Sequence, residues 1–160
     1  LARSMEPRAA TPPKRLEAIR QLTEAGIPTT VMVAPIIPAL NDSEIELILE
    51  TAHIAGARSA SYVLLRLPLE LKQLFREWLE TDFPDRAKRV ISILQSMHGG
   101  RDYVSEFGLR QRGTGPYAEQ IGARFRLAMT RLGMNQRNLA GLRTDLFQRP
   151  MKSGSQMKLL

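Results

Sequence analysis

Apolar positions fall in two rhythms along the chain. From 29 to 34 (T-T-V-M-V-A) and from 59 to 66 (S-A-S-Y-V-L-L-R), β-branched and apolar residues dominate, which predicts two strands. Between them Ile45, Ile48, Leu49 and Ala52 recur at i, i+3, i+4 and i+7, which predicts a helix over about 43–55 with one apolar face. Near-continuous apolar strands joined by a helix predict a right-handed βαβ crossover in a parallel sheet covered on both faces.

Elsewhere the helical rhythm prevails. Residues 1–5 read as a helix end or turn. A helix over 12–25 puts Leu16, Ile19 and Leu22 on one side, with Thr11 as N-cap, Pro12 in the first position and Gly26 just past the end. After Leu67-Pro68, a stripe of Leu71, Leu74, Phe75, Trp78 and Leu79 predicts a helix over about 69–80. Asp82-Phe83-Pro84 breaks it. Ala87, Val90, Ile91, Leu94 and Met97 carry the next helix to about His98, and Gly99-Gly100 ends it. Residues 101–115 form a Gly- and Arg-rich loop, followed by a helix over 116–132 that buries Tyr117, Ile121, Phe125, Ala128 and Met129. From Asn135 the chain is polar and basic, apart from Leu139, Leu142 and Leu146-Phe147, and reads as an extended or partly disordered tail.

The stretch 26–42 (G-I-P-T-T-V-M-V-A-P-I-I-P-A-L-N-D) joins a strand to a loop stiffened by Pro35 and Pro38 and to the helix-capping run Asn41-Asp42-Ser43. This is a βα unit, and in α/β folds ligands gather at the C-terminal ends of such strands. Two parallel strands are too few for an independently stable sheet. The expectation is that further strands precede Leu1 and that these 160 residues are part of a longer chain.

Composition narrows the chemistry. With 43% apolar and 24% charged residues the chain is globular in type. It has no cysteine, so disulfides, thiolate metal sites and cysteine nucleophiles are excluded within it, and His53 and His98 alone do not make a zinc site. No apolar run is long enough to span a bilayer and no signal peptide opens the chain, so the expected location is cytoplasmic. Lys and Arg number 23 against 16 Asp and Glu, a net charge of +7, which suits DNA or another polyanion as well as an ordinary basic surface. No glycine-rich nucleotide motif is present.

Several motifs taken together resemble a known family. They are M-E-P-R-A-A-T-P at 5–12, A-G-I-P at 25–28, V-M-V-A-P-I-I-P-A-L-N-D at 31–42, A-G-A-R-S-A at 55–60, Y-V-L-L-R-L-P at 62–68, F-P-D-R-A at 83–87 and F-G-L-R-Q-R-G-T-G-P-Y-A at 107–118. They resemble the C-terminal half of radical SAM proteins, in the bacterial group described as distant relatives of spore photoproduct lyase. The resemblance implies an α/β fold: the last two βα units of a partial (β/α)6 barrel (1–68), a helical extension (69–133) and a basic, irregular tail (134–160). It implies S-adenosylmethionine and a 4Fe–4S cluster as cofactors of the parent protein, a lyase-like enzyme that cleaves S-adenosylmethionine to a 5′-deoxyadenosyl radical. In that family a C-x3-C-x2-C loop binds the cluster. This chain lacks it, so the implied partner is the missing N-terminal half, and the fragment alone is expected to be inactive. Ala39 departs from the family, where Gly is usual.

The resemblance places cofactor contacts at Glu6 and Arg8, at Ala34, Pro35 and Ile37 beside the adenine, at Asn41 and at Arg66. Each has a plain alternative. Glu6 and Arg8 could be an exposed loop pair. The run from Val33 to Pro38 could be a hydrophobic strand and a stiff loop, and Asn41 a helix cap. Arg66, ending an apolar strand, faces a barrel mouth or pairs with Glu6 or Glu70. Tyr62 and Tyr103 are candidates for substrate stacking or core packing. His98 reads as a helix-end residue complementing the dipole. A second function class, a basic nucleic-acid-binding module, would use Arg101, Arg110 and Arg112. A third is a different (β/α)-barrel enzyme with a phosphate site in its loops.

Overall fold

The computed structural model describes residues 1–134 together with Asp145 and Phe147. The expected tail therefore lies almost wholly outside the described residues. The chain folds as a mixed α/β structure around a two-stranded parallel sheet. Helix α1 (Ala2–Met5) and α2 (Pro12–Glu24) lead to β1 (Thr30–Ile36). A 3-10 turn (Asp42–Glu44) runs into α3 (Ile45–Ile54), and β2 (Ser59–Leu64) follows. Then come α4 (Leu71–Asp82), α5 (Pro84–Ser96), the short α6 (Leu109–Arg112) and α7 (Gly115–Arg131).

Strand β1 is longer than expected, because it continues through Pro35. Thr30 pairs with Ser59 and Val33 with Tyr62, but Ile36 pairs with Leu64, so the register slips between Val33 and Ile36. A proline cannot donate to the ladder, and an irregular step is where a strand tolerates one. The Ala34–Pro35 peptide is cis.

One face of the sheet is core. Val33, Ile36, Tyr62 and Leu64 are buried, with Ile45 and Leu49 of α3 and Phe125 of α7 in the same cluster. The other face is open: Thr30 and Ala34 are exposed, and Met32 is 56% exposed. The expected cover on both faces is thus absent among the described residues. An apolar sequence marks both faces of a strand but cannot supply the second layer.

The helices extend the same core. Phe75 and Leu79 of α4, Val90, Leu94 and Met97 around α5, and Ile121 and Phe125 of α7 join one buried cluster. Trp78 packs between Phe75 and Phe83, with ring centroids 5.5 and 5.4 Å away. Its indole N–H donates to Ser4 Oγ at 2.8 Å, and Ser4 donates to Asp82 at 2.9 Å, which ties α1 to α4. The first turn of the α4 stripe is not core, since Leu71 and Leu74 are exposed.

Helix α2 buries none of its residues fully; Leu16 and Ile19 are partly covered and Leu22 is exposed. Thr11 sits at its N-cap without a side-chain bond, and Pro12 and Pro13 leave no N–H at the first two helical positions. A glycine lets α2 approach α3. At Gly56 (φ +106°) a Cβ would lie 2.5 Å from the Thr23 side chain. No helix among the described residues is long and apolar enough to cross a membrane.

Candidate functional site

The expected site at the strand ends is partly assembled. Ala34, Pro35, Ile37 and Asn41 belong to one loop at the C-terminal end of β1. The Leu65 N–H donates to the Ile36 carbonyl at 2.9 Å, which carries the pairing one step past β2 and puts Arg66 at the same end. Arg66 is half-buried and makes no hydrogen bond or ion pair among the described residues. The alternative, a pairing with Glu6 or Glu70, is not made.

Asn41 closes the loop. Its Oδ1 accepts from the Ile37 N–H at 2.7 Å and its Nδ2 donates to the Pro35 carbonyl at 3.1 Å. It occupies the cap position of the 3-10 turn without a side-chain cap bond, so the expected capping role is corrected: the amide clamps 35–41 instead. Ile37 is fully buried, whereas Ala34 is exposed. A purine docking here would meet Ala34, backbone and the Pro35 ring, with the Asn41 amide already bonded. The chain has no cysteine, and no group of three His, Cys, Asp or Glu side chains among the described residues could hold a metal ion. Its donor set does not fit an iron–sulfur cluster.

The loop is braced from behind. Asp42, only 9% exposed, accepts a hydrogen bond from the Tyr117 hydroxyl. Burial first, and then this bond, push the Tyr117 phenol above its ordinary pKa, so it stays a donor. Arg124 donates to the Asp42 carbonyl at 3.0 Å and forks onto Glu46 at 2.8 and 2.6 Å. That fork holds the Glu46 carboxyl below the usual range. Helix α7 is thereby pinned to the turn that follows the loop.

The remaining candidates lie apart. Glu6 is exposed and paired with Arg15 at 2.9 Å; Arg8 is exposed. Neither bonds to the β1 loop. Arg101 is exposed, Arg110 lies over the Phe107 ring at 5.6 Å, and Arg112 lies over Tyr62 at 3.9 Å while donating to Ser61 Oγ at 3.2 Å. Tyr62 is core, stacked on Phe125 at 4.7 Å. Tyr103 is half-buried. His98 is 3% exposed, its Nδ1 bonds the Leu94 carbonyl at 3.0 Å, and burial pushes its pKa down. It is a neutral core group, which corrects the expectation of a dipole-complementing cation.

No family model, curated protein or solved structure matches this chain. The function therefore rests on the residues and their geometry.

A second concavity opens on the far side of β2. A cavity of about 660 Å³ lies between β2, α6 and α7, lined by Ser61, Tyr62, Arg112, Glu119, Gly122 and Arg126 among others. Its size is that of a small-molecule site. Sequence reasoning reached Tyr62 and Arg112 separately and missed Glu119 and Arg126. Their helical spacing reads as a solvated face of α7, and nothing local ties that face to β2.

Proposed function

We propose that the chain forms the last two βα units of a radical SAM barrel, with the β1 loop and Arg66 as one wall of an S-adenosylmethionine site. The motifs at 31–42 and 62–68 support this reading. The observation that carries it is the convergence of the cross-tied 35–41 loop and a half-buried arginine, unpaired among the described residues, at the C-terminal end of a parallel β-α-β pair. An arginine held there without an acidic partner is suited to a carboxylate or phosphate. The open face carrying Thr30, Met32 and Ala34 is suited to the lumen of a larger barrel. Radical chemistry would come from a bound cluster whose cysteine ligands lie outside these residues; this chain's part is to hold and orient the cofactor.

The reading frame ahead of Leu1 provides the test. A C-x3-C-x2-C motif on an in-frame extension, with an iron–sulfur spectrum after anaerobic reconstitution of the extended protein, supports the proposal. An extension without closely spaced cysteines defeats it. In the reconstituted protein, Arg66→Ala is expected to weaken S-adenosylmethionine binding about tenfold or more, the scale of a lost charge-assisted bond.

A second reading has one observation in its favour. Phe107 is 87% exposed with the Arg110 guanidinium over its ring, an arrangement suited to stacking a base beside a phosphate. Nucleic-acid affinity that falls steeply with salt and drops in Phe107→Ala supports this module. Absence of binding at low salt rejects it.

A further inference from the structure

We infer that the groove between β2 and α7 is a binding site for a small phosphate-bearing molecule, of about mononucleotide size. This inference stands independently of the radical SAM reading, because it uses the side of β2 away from the β1 loop.

Four observations converge on it. The cavity of about 660 Å³ has room for such a ligand. Two guanidiniums line it, and they are held differently. Arg112 is preset by stacking on Tyr62 and by its bond to Ser61 Oγ. Arg126 makes no ion pair among the described residues. Thr114 and Gly115 at the N-terminus of the 17-residue α7 line the same space, and no side chain among the described residues caps it. Helix N-termini carry about half a positive charge.

The fourth observation is the Tyr62 hydroxyl. Tyr62 is only 7% exposed, yet its hydroxyl has no hydrogen-bond partner among the described residues. The hydroxyl is not sealed from solvent, and the cavity is a space that Tyr62 lines. A core tyrosine normally finds a partner for its hydroxyl. Here the hydroxyl lies beside Gly122, which lines the same groove, and is free to bond a ligand there.

Gly122 keeps the space open. A Cβ there would lie 3.0 Å from Tyr62 Oη and 3.3 Å from Arg126 Nη1, between the two groups a ligand would reach.

Charge selects the ligand class. The two guanidiniums outweigh Glu119 by one charge, and the helix end adds about half of one more. A carboxylate carries a single charge, whereas a phosphate monoester carries about 1.5 to 2 at neutral pH. The monoester matches the site. Glu119, exposed and without an ion-pair partner among the described residues, is suited to a hydroxyl or amine on the rest of the molecule.

The test is titration of the 160-residue chain with inorganic phosphate, adenosine 5′-monophosphate and acetate, followed by calorimetry and by NMR of the arginine Nε–H signals. Saturable binding of the phosphates that shifts the Arg112 and Arg126 signals is expected, with acetate weaker. Arg126→Met and Tyr62→Phe should each weaken phosphate binding several-fold, with the unfolding midpoint unchanged, while Lys14→Met on α2 leaves it unaltered. Gly122→Val should abolish it. Absence of binding at about 10 mM phosphate, a range weaker than any useful site, overturns the proposal. So does equal affinity in wild type and Arg126→Met. Acetate binding as tightly as phosphate overturns the assignment of ligand class.

Discussion

The Tyr117 hydroxyl donates to the carboxylate of Asp42, joining helix α7 to the end of the β1 loop across 75 positions of sequence. Arg124, two turns further along α7, adds bonds to the Asp42 carbonyl and to Glu46. Together they fix the loop's exit. Tyr117→Phe keeps the ring and removes one donor from a nearly buried carboxylate. It is expected to cost about 1–3 kcal/mol, read as a lower urea midpoint at unchanged slope. An unaltered midpoint would show that the bond contributes nothing to loop anchoring.

The Arg124–Glu46 fork should behave as a coupled pair. Both side chains are about a third exposed (32% and 35%), so solvent screens them. A double-mutant cycle with Arg124→Met and Glu46→Gln is expected to give a coupling near the lower end of the 0.5–3 kcal/mol range, roughly 0.5–1. Because the Glu46 pKa is lowered from 4.5, its contribution is full above about pH 4.5 and is lost as pH falls through the folded value. Additive effects of the two substitutions at pH 7 would remove the coupling.

Ala39 sits at φ +58°, in the left-handed region, directly inside the Asn41-clamped loop. A side chain is unfavourable there, and glycine is not. Ala39→Gly should therefore stabilise the protein despite loosening the unfolded chain, by about 0.5–1 kcal/mol. For a chain of this size that is a rise of roughly 1–4 °C in Tm. A fall in Tm would mean that the loop takes another conformation.

His98 makes stability depend on pH. Its folded pKa lies below 6.5, because burial disfavours the imidazolium. Above about pH 6.5 the ring is neutral in both states and its contribution is complete. Below that, the unfolded chain takes up a proton that the folded chain refuses. Stability then falls by up to about 1.4 kcal/mol per pH unit until the folded pKa is reached. Urea midpoints measured from pH 7 to 5 should decline in the wild type and flatten in His98→Gln. Parallel curves would assign the decline to other groups.

Much of the fold is legible along the chain. The i, i+3, i+4 spacing located α3, α5 and α7 to within a residue or two, and β-branched runs located both strands. These signals are local, since a helix or strand face is written in consecutive residues. The misreadings share one cause. Leu71, Leu74 and Leu22 have the right spacing for a core face but no element among the described residues covers them, and His98 has a helix-end position but is buried. Burial depends on what comes to rest against a residue, which spacing does not specify.

Candidate sites divide in the same way. The β1 loop was readable because Pro35, Pro38 and Asn41 lie within seven positions, although which groups Asn41 bonds was not. The β2–α7 groove was not readable at all. Ser61, Arg112 and Arg126 come from three elements, and they meet only because α6 rests on β2 through Arg112 and α7 through the Tyr62–Phe125 ring contact.

The sequence by itself determined the β-α-β order, the helix faces, the absence of thiolate chemistry and the basic balance, because each is a property of neighbouring residues or of totals. Tertiary structure alone decided that Asn41 closes its own loop, that His98 is neutral and that, among the described residues, Arg66 stays unpaired and Tyr62 keeps an unused donor. Each of these depends on distances and burial between segments far apart in the chain, where desolvation and hydrogen-bond geometry, not local preference, set the outcome.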